Sequence, residues 1–156
     1  MLKKYILVLL ISMIPIIELR GAIPYAVGFG LPLIPSYVVA IIGNILPVPI
    51  IFLFARKVLI WGSNKKYTRK VFNFFLKKGE KGGEKLKRNN SKSIYIALLL
   101  FVGIPLPGTG AWTGTLIASF LDLDFKKSIF AVSLGVVLAG IIMIILSLGV
   151  FKGLLA

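Results

Sequence analysis

The chain contains no cysteine and no histidine, and only five of its 156 residues are acidic. The first absence excludes disulfides and thiolate chemistry. The second removes the commonest general base, and the two together remove the usual zinc ligands. Hydrolytic or redox catalysis is therefore not expected, and neither is a metal ion or an organic cofactor. An enzyme acting on lipid headgroups has the least support, since it would lack His, Cys and a second buried carboxylate.

Basic residues, by contrast, number 19 and set a formal charge of +14. Their placement matters more than their number. Thirteen of them fall between Arg56 and Lys92, against two acids there, Glu80 and Glu84. A basic block between apolar stretches marks a cytoplasmic loop. It also suits anionic lipid headgroups, at about 1 kcal/mol per Lys or Arg near the surface. Nucleic-acid binding is not expected, because hydrophobic spans are no part of that footprint.

Apolar residues are abundant, at 58% of the chain, with a mean hydropathy of +0.96. Soluble domains run about 45–50% apolar. Lipid is the natural solvent for such a chain, and a hydrocarbon core of roughly 30 Å takes about 20 apolar residues per helical crossing. The length allows about four segments, read here as 5–33, 36–60, 93–121 and 128–151. The expected fold is an all-α polytopic membrane protein forming a single integral membrane domain over 1–156. It comprises a first half (1–60), a basic cytoplasmic loop with an amphipathic helix (61–92) and a second half (93–156). Lys3 and Lys4 before an apolar run could open a signal peptide, but no small-residue cleavage pattern follows. A retained membrane segment is expected instead.

Within the loop, residues 65–78 interleave bases with Tyr67, Phe72, Phe74 and Phe75, as an interfacial helix would. Residues 79–90 read as a flexible turn. The two halves share an order: a segment broken by Gly and Pro near its centre, a short turn, then a longer helix. Gly21-Ala22 and Gly110-Ala111 sit at comparable points. Two topologies follow. In one, segments 5–33 and 93–121 are re-entrant hairpins entering from opposite faces, each followed by a transmembrane helix. The halves then form an inverted repeat, as in many secondary transporters. In the other, all four segments span and the halves are parallel. Charge slightly favours the second, because it places Lys3, Lys4 and Lys152 inside. Breaks midway through 29-residue segments favour the first, which is the working expectation.

Two constellations carry chemistry. The first surrounds Pro15, Glu18, Arg20, Gly21 and Pro24. A charge at the bilayer centre costs about 2.5–3.5 kcal/mol, so such residues pair or line a wet cavity. Residues two apart do not face each other on a helix. Unwound backbone near Gly21 would bring Glu18 and Arg20 together or aim both at a ligand. A structural ion pair holding the hairpin tip is the plainer alternative. The second constellation holds Pro105, Pro107, Gly108, Thr109, Gly110, Trp112 and Thr113. A helix restarting near Ala111 would present free N–H groups to an anion, with the two hydroxyls and the indole alongside. Asn44 reads as an interhelical hydrogen bond, and Asp122 or Asp124 as the cap of the last helix. Gly135, Ala139 and Gly140 offer a face for close helix approach.

The runs IPIIELRGAIPYAVGFG and GIPLPGTGAWTGTLIA resemble the two signature segments of the small multidrug export protein family. That family is distantly similar to the DedA/VTT superfamily, whose members carry two opposed re-entrant hairpins and include lipid scramblases and carrier-lipid translocases. The resemblance points to Glu18, Arg20, Pro24, Pro105, Pro107, Gly108, Thr109, Gly110 and Trp112. One departure stands out: DedA proteins carry a characteristic Arg in the second hairpin, whereas here Arg20 lies in the first.

Residues and resemblance together imply a transporter or flippase of an amphipathic, anionic lipid-like substrate. Glu18 would take a proton or cation, and Arg20 with Thr109, Trp112 and Thr113 would complete the site. Efflux of lipophilic cations and a non-transporting scaffold are the alternatives. The expected setting is a prokaryotic cytoplasmic membrane, with the bilayer, its anionic headgroups and a second copy of the chain as partners.

Overall fold

A computed structural model describes residues 2–65, 69, 70, 73, 74, 77 and 92–155. The described residues are helical with connecting turns and contain no strand. Of the amphipathic helix expected over 65–78, Lys65, Arg69, Lys70, Asn73, Phe74 and Lys77 are described; Lys65 lies in a bend and the other five are helical. The turn expected over 79–90 lies outside the described residues.

Helix α1 (Leu2–Met13) stops where it does because Pro15 disfavours helical backbone at the residue before it. Residues 14–17 make a tight turn with Ile16 at φ +75°, a value that is rare for a β-branched residue. Helix α2 (Glu18–Gly28) then runs back, with Lys4 Nζ over the Phe29 ring at 5.3 Å. Its end is a Schellman motif: Gly30 takes φ +65°, and the Leu31 N–H reaches back to Ala26 O at 3.0 Å.

Helices α3 (Leu33–Ile45) and α4 (Val48–Ser63) form one 31-residue apolar run. Pro47 lacks the N–H that would bond Gly43 O, and the run is interrupted there. Helix α5 (Lys92–Gly103) ends at a second break, 104–110, and α6 (Ala111–Phe120) returns. Tyr95 near the start of α5 accepts the Asp124 N–H just past α6 at 3.2 Å, so this pair is antiparallel too. The long helix α7 (Phe125–Leu155) closes the chain.

At 1.5 Å per residue, the four short helices measure roughly 15–18 Å each, and neither member of either pair could cross a 30 Å core alone. The α3–α4 run and α7 exceed that thickness, and both are apolar enough to cross. They run in opposite directions. Tyr37 near the start of α3 donates its hydroxyl proton to Val137 O at 2.9 Å, while Phe52 of α4 meets Phe125 at the head of α7 with ring centroids 5.4 Å apart.

The core is built from small residues, including Ala22, Ala26, Ala40, Ala111, Ala118 and Ala139. Close approach of backbones is the reason. A Cβ on Gly135 would lie 2.7 Å from Leu99 O, and one on Gly140 would lie 2.5 Å from Tyr37 Cε2. The face expected at Gly135, Ala139 and Gly140 is therefore used by α5 and α3. Gly43, not foreseen as a packing position, sits where a Cβ would lie 2.6 Å from Leu9 O. Outward faces are apolar, with Leu10, Phe54, Ile141 and Ile145 exposed. Water would not tolerate a surface of this kind, and lipid does.

Asp124 is the residue that caps α7: its Oδ1 accepts the Lys127 N–H at 2.9 Å. Asp122 instead pairs with Arg56 of α4. Asn44 corrects its expectation. It is 1% exposed, and its Oδ1 has no hydrogen-bond partner among the described residues.

Candidate functional site

The two breaks meet. Glu18, at the start of α2, is 3% exposed, and its carboxylate sits on the first turn of α6. The Ala111 N–H donates to Oε2 at 3.2 Å and the Trp112 N–H to Oε1 at 3.1 Å. These are two of the N–H groups that every helix start leaves without an intrahelical partner. A carboxylate there gains two charge-assisted bonds and the favourable end of the helix dipole.

Arg20 lies two residues further along and reaches the same break by its other side. One guanidinium nitrogen donates to Leu106 O, and the other donates to Thr109 Oγ1 at 2.7 Å. Thr109 Oγ1 is also within reach of Ile104 O at 2.9 Å and Leu106 O at 2.8 Å, so its own proton has an acceptor. Pro105 and Pro107 supply no N–H to compete for the carbonyl between them. The Trp112 indole crosses in the opposite sense, donating to Met13 O at 3.2 Å. Three side chains thus tie the first break to the second.

The backbone records how tightly they fit. Gly110 has φ +139°, and a Cβ on it would lie 2.7 Å from Glu18 Cδ. Glu18 itself has φ +51°, outside the usual range for a residue with a side chain. Strain of this kind, on a buried charged residue, is retained only where the surroundings enforce it. Beside the site, an apolar groove of about 410 Å³ opens between α4 and α6, with Ile51, Phe54, Trp112, Leu116 and Phe120 among its walls.

Most of the residues singled out in the sequence converge here, but not all in the expected way. Glu18 and Arg20 do not form an ion pair with each other; each engages the second break separately. The unwound backbone lies at 14–17, and Gly21 and Pro24 are inside α2. Pro15 is the residue that forces the turn. Gly21 provides space instead, since a side chain there would run into the Ile17 side chain. The helix start near Ala111, expected to face a ligand, faces Glu18. Gly108, at φ +82°, shapes the exposed part of the turn. Thr113 is half-buried on α6 and makes no side-chain hydrogen bond among the described residues.

Sequence reasoning missed Met13 O and Leu106 O as partners, and although it expected free N–H groups near Ala111 to meet an anion, it did not name Glu18 as that anion. The two carbonyls are backbone groups, and no residue type announces them. No grouping of His, Cys, Asp or Glu suited to a metal ion occurs among the described residues.

No curated protein and no solved structure matches the chain. Residues 18–142, which begin at Glu18 just after the first break and include the second, match the family described as "Putative small multi-drug export protein". The match covers about four fifths of the chain, and the protein is a member of that family.

Proposed function

We propose that the protein is a membrane transporter of an amphipathic, anionic lipid-like substrate, worked by exchange at the α6 start. The observation that carries this reading is a buried carboxylate seated on two free N–H groups, with a guanidinium beside it. Such a place selects anions. Glu18 is the anion in the described state. Protonation of Glu18 removes its charge and weakens its hold on the two N–H groups. A phosphate-like headgroup then takes its place, between the α6 start and Arg20, with its tail in the apolar groove beside Trp112. Loss of the proton returns Glu18 and expels the headgroup.

In this reading the α1–α2 and α5–α6 pairs are re-entrant hairpins entering from opposite faces, and the halves form an inverted repeat. Helix lengths of 10–12 residues support it, as does the contact between the two breaks. Unwound backbone in a membrane is tolerated where protein satisfies it, and here Glu18, Arg20 and the Met13 carbonyl, which flank the first break, bond to groups in and just after the second. Loop 61–92 faces the cytoplasm of a prokaryotic cell, and a homodimer thickens a wall of only four segments. The chain is not an enzyme and needs no cofactor. The family's name favours a second reading, export of lipophilic cations with Glu18 as counter-charge, although Arg20 would repel such a cargo.

The test is transport by purified protein in liposomes, with and without a proton gradient. Fluorescent phospholipid and polyprenyl-phosphate analogues are compared with a lipophilic cation. Wild type is expected to move an anionic lipid, and Glu18→Gln and Arg20→Ala to lose that activity while still inserting and purifying normally. Movement of the cation alone establishes the second reading. No movement of any substrate by folded protein points to a scaffold that acts through its basic loop.

A further inference from the structure

A second groove lies on the other side of the second half, between α5 and α7. Its volume is about 640 Å³. Tyr95 and Leu99 of α5 and Phe130 and Leu134 of α7 form its sides, and three lysines, Lys92, Lys126 and Lys127, close one end. Each helix therefore carries a stripe that begins with lysine and continues apolar at intervals of three or four residues. The wall is polar at that end and apolar along its length. Lys127 Nζ lies 5.9 Å from the centre of the Tyr95 ring, and the Tyr95 hydroxyl holds the Asp124 N–H. Helix α5 is thereby pinned to the head of α7 where the lysines stand.

We propose that this groove is a binding site for one anionic phospholipid of the leaflet on the loop side. The headgroup sits among Lys92, Lys126 and Lys127, and an acyl chain lies along Leu99, Phe130 and Leu134. Depth supports this occupant. From Lys126 to Leu134 is eight residues, or about 12 Å along the helix, close to the half-thickness of a hydrocarbon core of roughly 30 Å. Charge supports it as well. Among the described residues, the three cations stand beside two carboxylates of the α6–α7 turn, and both are engaged, Asp124 as the α7 cap and Asp122 with Arg56. A second copy of the chain is a poorer occupant, because a two-fold contact through this groove would set lysines against lysines. The site is separate from Glu18 and Arg20 and does not depend on their function.

Native mass spectrometry of the full-length protein, released from nanodiscs of mixed phosphatidylglycerol and phosphatidylcholine, tests it directly. Wild type is expected to retain one phosphatidylglycerol in preference to phosphatidylcholine. Each Lys→Gln change at Lys92, Lys126 or Lys127 should weaken retention on the order of fivefold, and the triple variant on the order of a hundredfold. Leu134→Trp, which fills the groove without touching charge, should also displace the lipid. Lys3→Gln with Lys4→Gln, at the opposite end of the bundle, should leave retention unchanged. Equal retention of the two lipids overturns the proposal, and so does a triple variant that keeps its lipid. Dimers joined through a cysteine placed at Ile96, formed while the lipid is absent from wild type, overturn it too by naming a second copy as the occupant.

Discussion

The substitution Gly110→Ala probes the meeting of the two breaks most sharply. Two separate penalties arise. The backbone stays at φ +139°, where a residue with a Cβ is strained by about 1–3 kcal/mol. The new methyl would also stand 2.7 Å from Glu18 Cδ, so the carboxylate must leave the Ala111 and Trp112 N–H groups. Each charge-assisted bond so lost is worth about 1.5–3 kcal/mol. The single variant should therefore lose about 4–9 kcal/mol. In a Glu18→Ala background the second penalty has already been taken, and only the backbone strain remains.

A double-mutant cycle isolates the difference. The expected coupling is at least about 3 kcal/mol, measured by chemical unfolding in detergent micelles or by thermal melts of the four proteins. On the scale of soluble domains of this size, that corresponds to roughly 6–12 °C in Tm. Additive effects, with coupling below about 0.5 kcal/mol, would refute the claim that Glu18 and the α6 start are held against each other.

Three further predictions rest on other contacts. Arg20→Lys keeps the charge but not the fork, so it should hold Leu106 O or Thr109 Oγ1 and not both; expected destabilisation is about 1–3 kcal/mol, and a melt equal to wild type would contradict it. Asp124→Ala should cost about 0.5–2 kcal/mol through loss of the α7 cap, whereas Asp122→Asn, whose pair with Arg56 is nearly half exposed, should cost at most about 1 kcal/mol; the reverse order of Tm would sink the assignment of the two roles. Single cysteines, easily placed in a chain that has none, decide topology: Lys3→Cys and Phe29→Cys should react with a membrane-impermeant reagent from the same side, and labelling from opposite sides would establish four full crossings instead.

How much of this was legible in the sequence depends on which atoms carry each contact. Both breaks were legible, since Pro15 and the Pro105–Gly110 run are strong local punctuation. The place of the first break was misjudged. Glycine and proline inside an apolar run were read as unwound backbone, yet Gly21 and Pro24 remain helical. The steric restriction Pro15 imposes on Ile14 acts earlier in the chain, and tertiary packing carries the helix past Pro24. Glu18 and Arg20 could be named as important from cost alone. The pairing could not: free N–H groups near Ala111 were expected to meet an anion, but nothing joined them to a carboxylate 93 residues away. The Gly43–Leu9 approach was hidden for the same reason. Asn44 fails in the opposite way: residue type promised a hydrogen bond, and burial left Oδ1 without one.

The absence of charge in the second break follows from this division of labour. Two ionisable groups at depth would each cost about 2.5–3.5 kcal/mol unless their fields were met. Meeting them with further charges from the second half would only add to what must be buried. A helix start and a turn whose Leu106 carbonyl accepts a further donor meet them with neutral groups instead. The N–H groups of Ala111 and Trp112 face the carboxylate, and Leu106 O with Thr109 Oγ1 faces the guanidinium. Proline at 105 and 107 and glycine at 108 and 110 are the residues that let a backbone present donors on one side and acceptors on the other. A substitution in the second break therefore acts on Glu18 and Arg20 without altering any charge. That is why Gly110→Ala, a change of one methyl group, should disturb the site as severely as removal of the carboxylate itself.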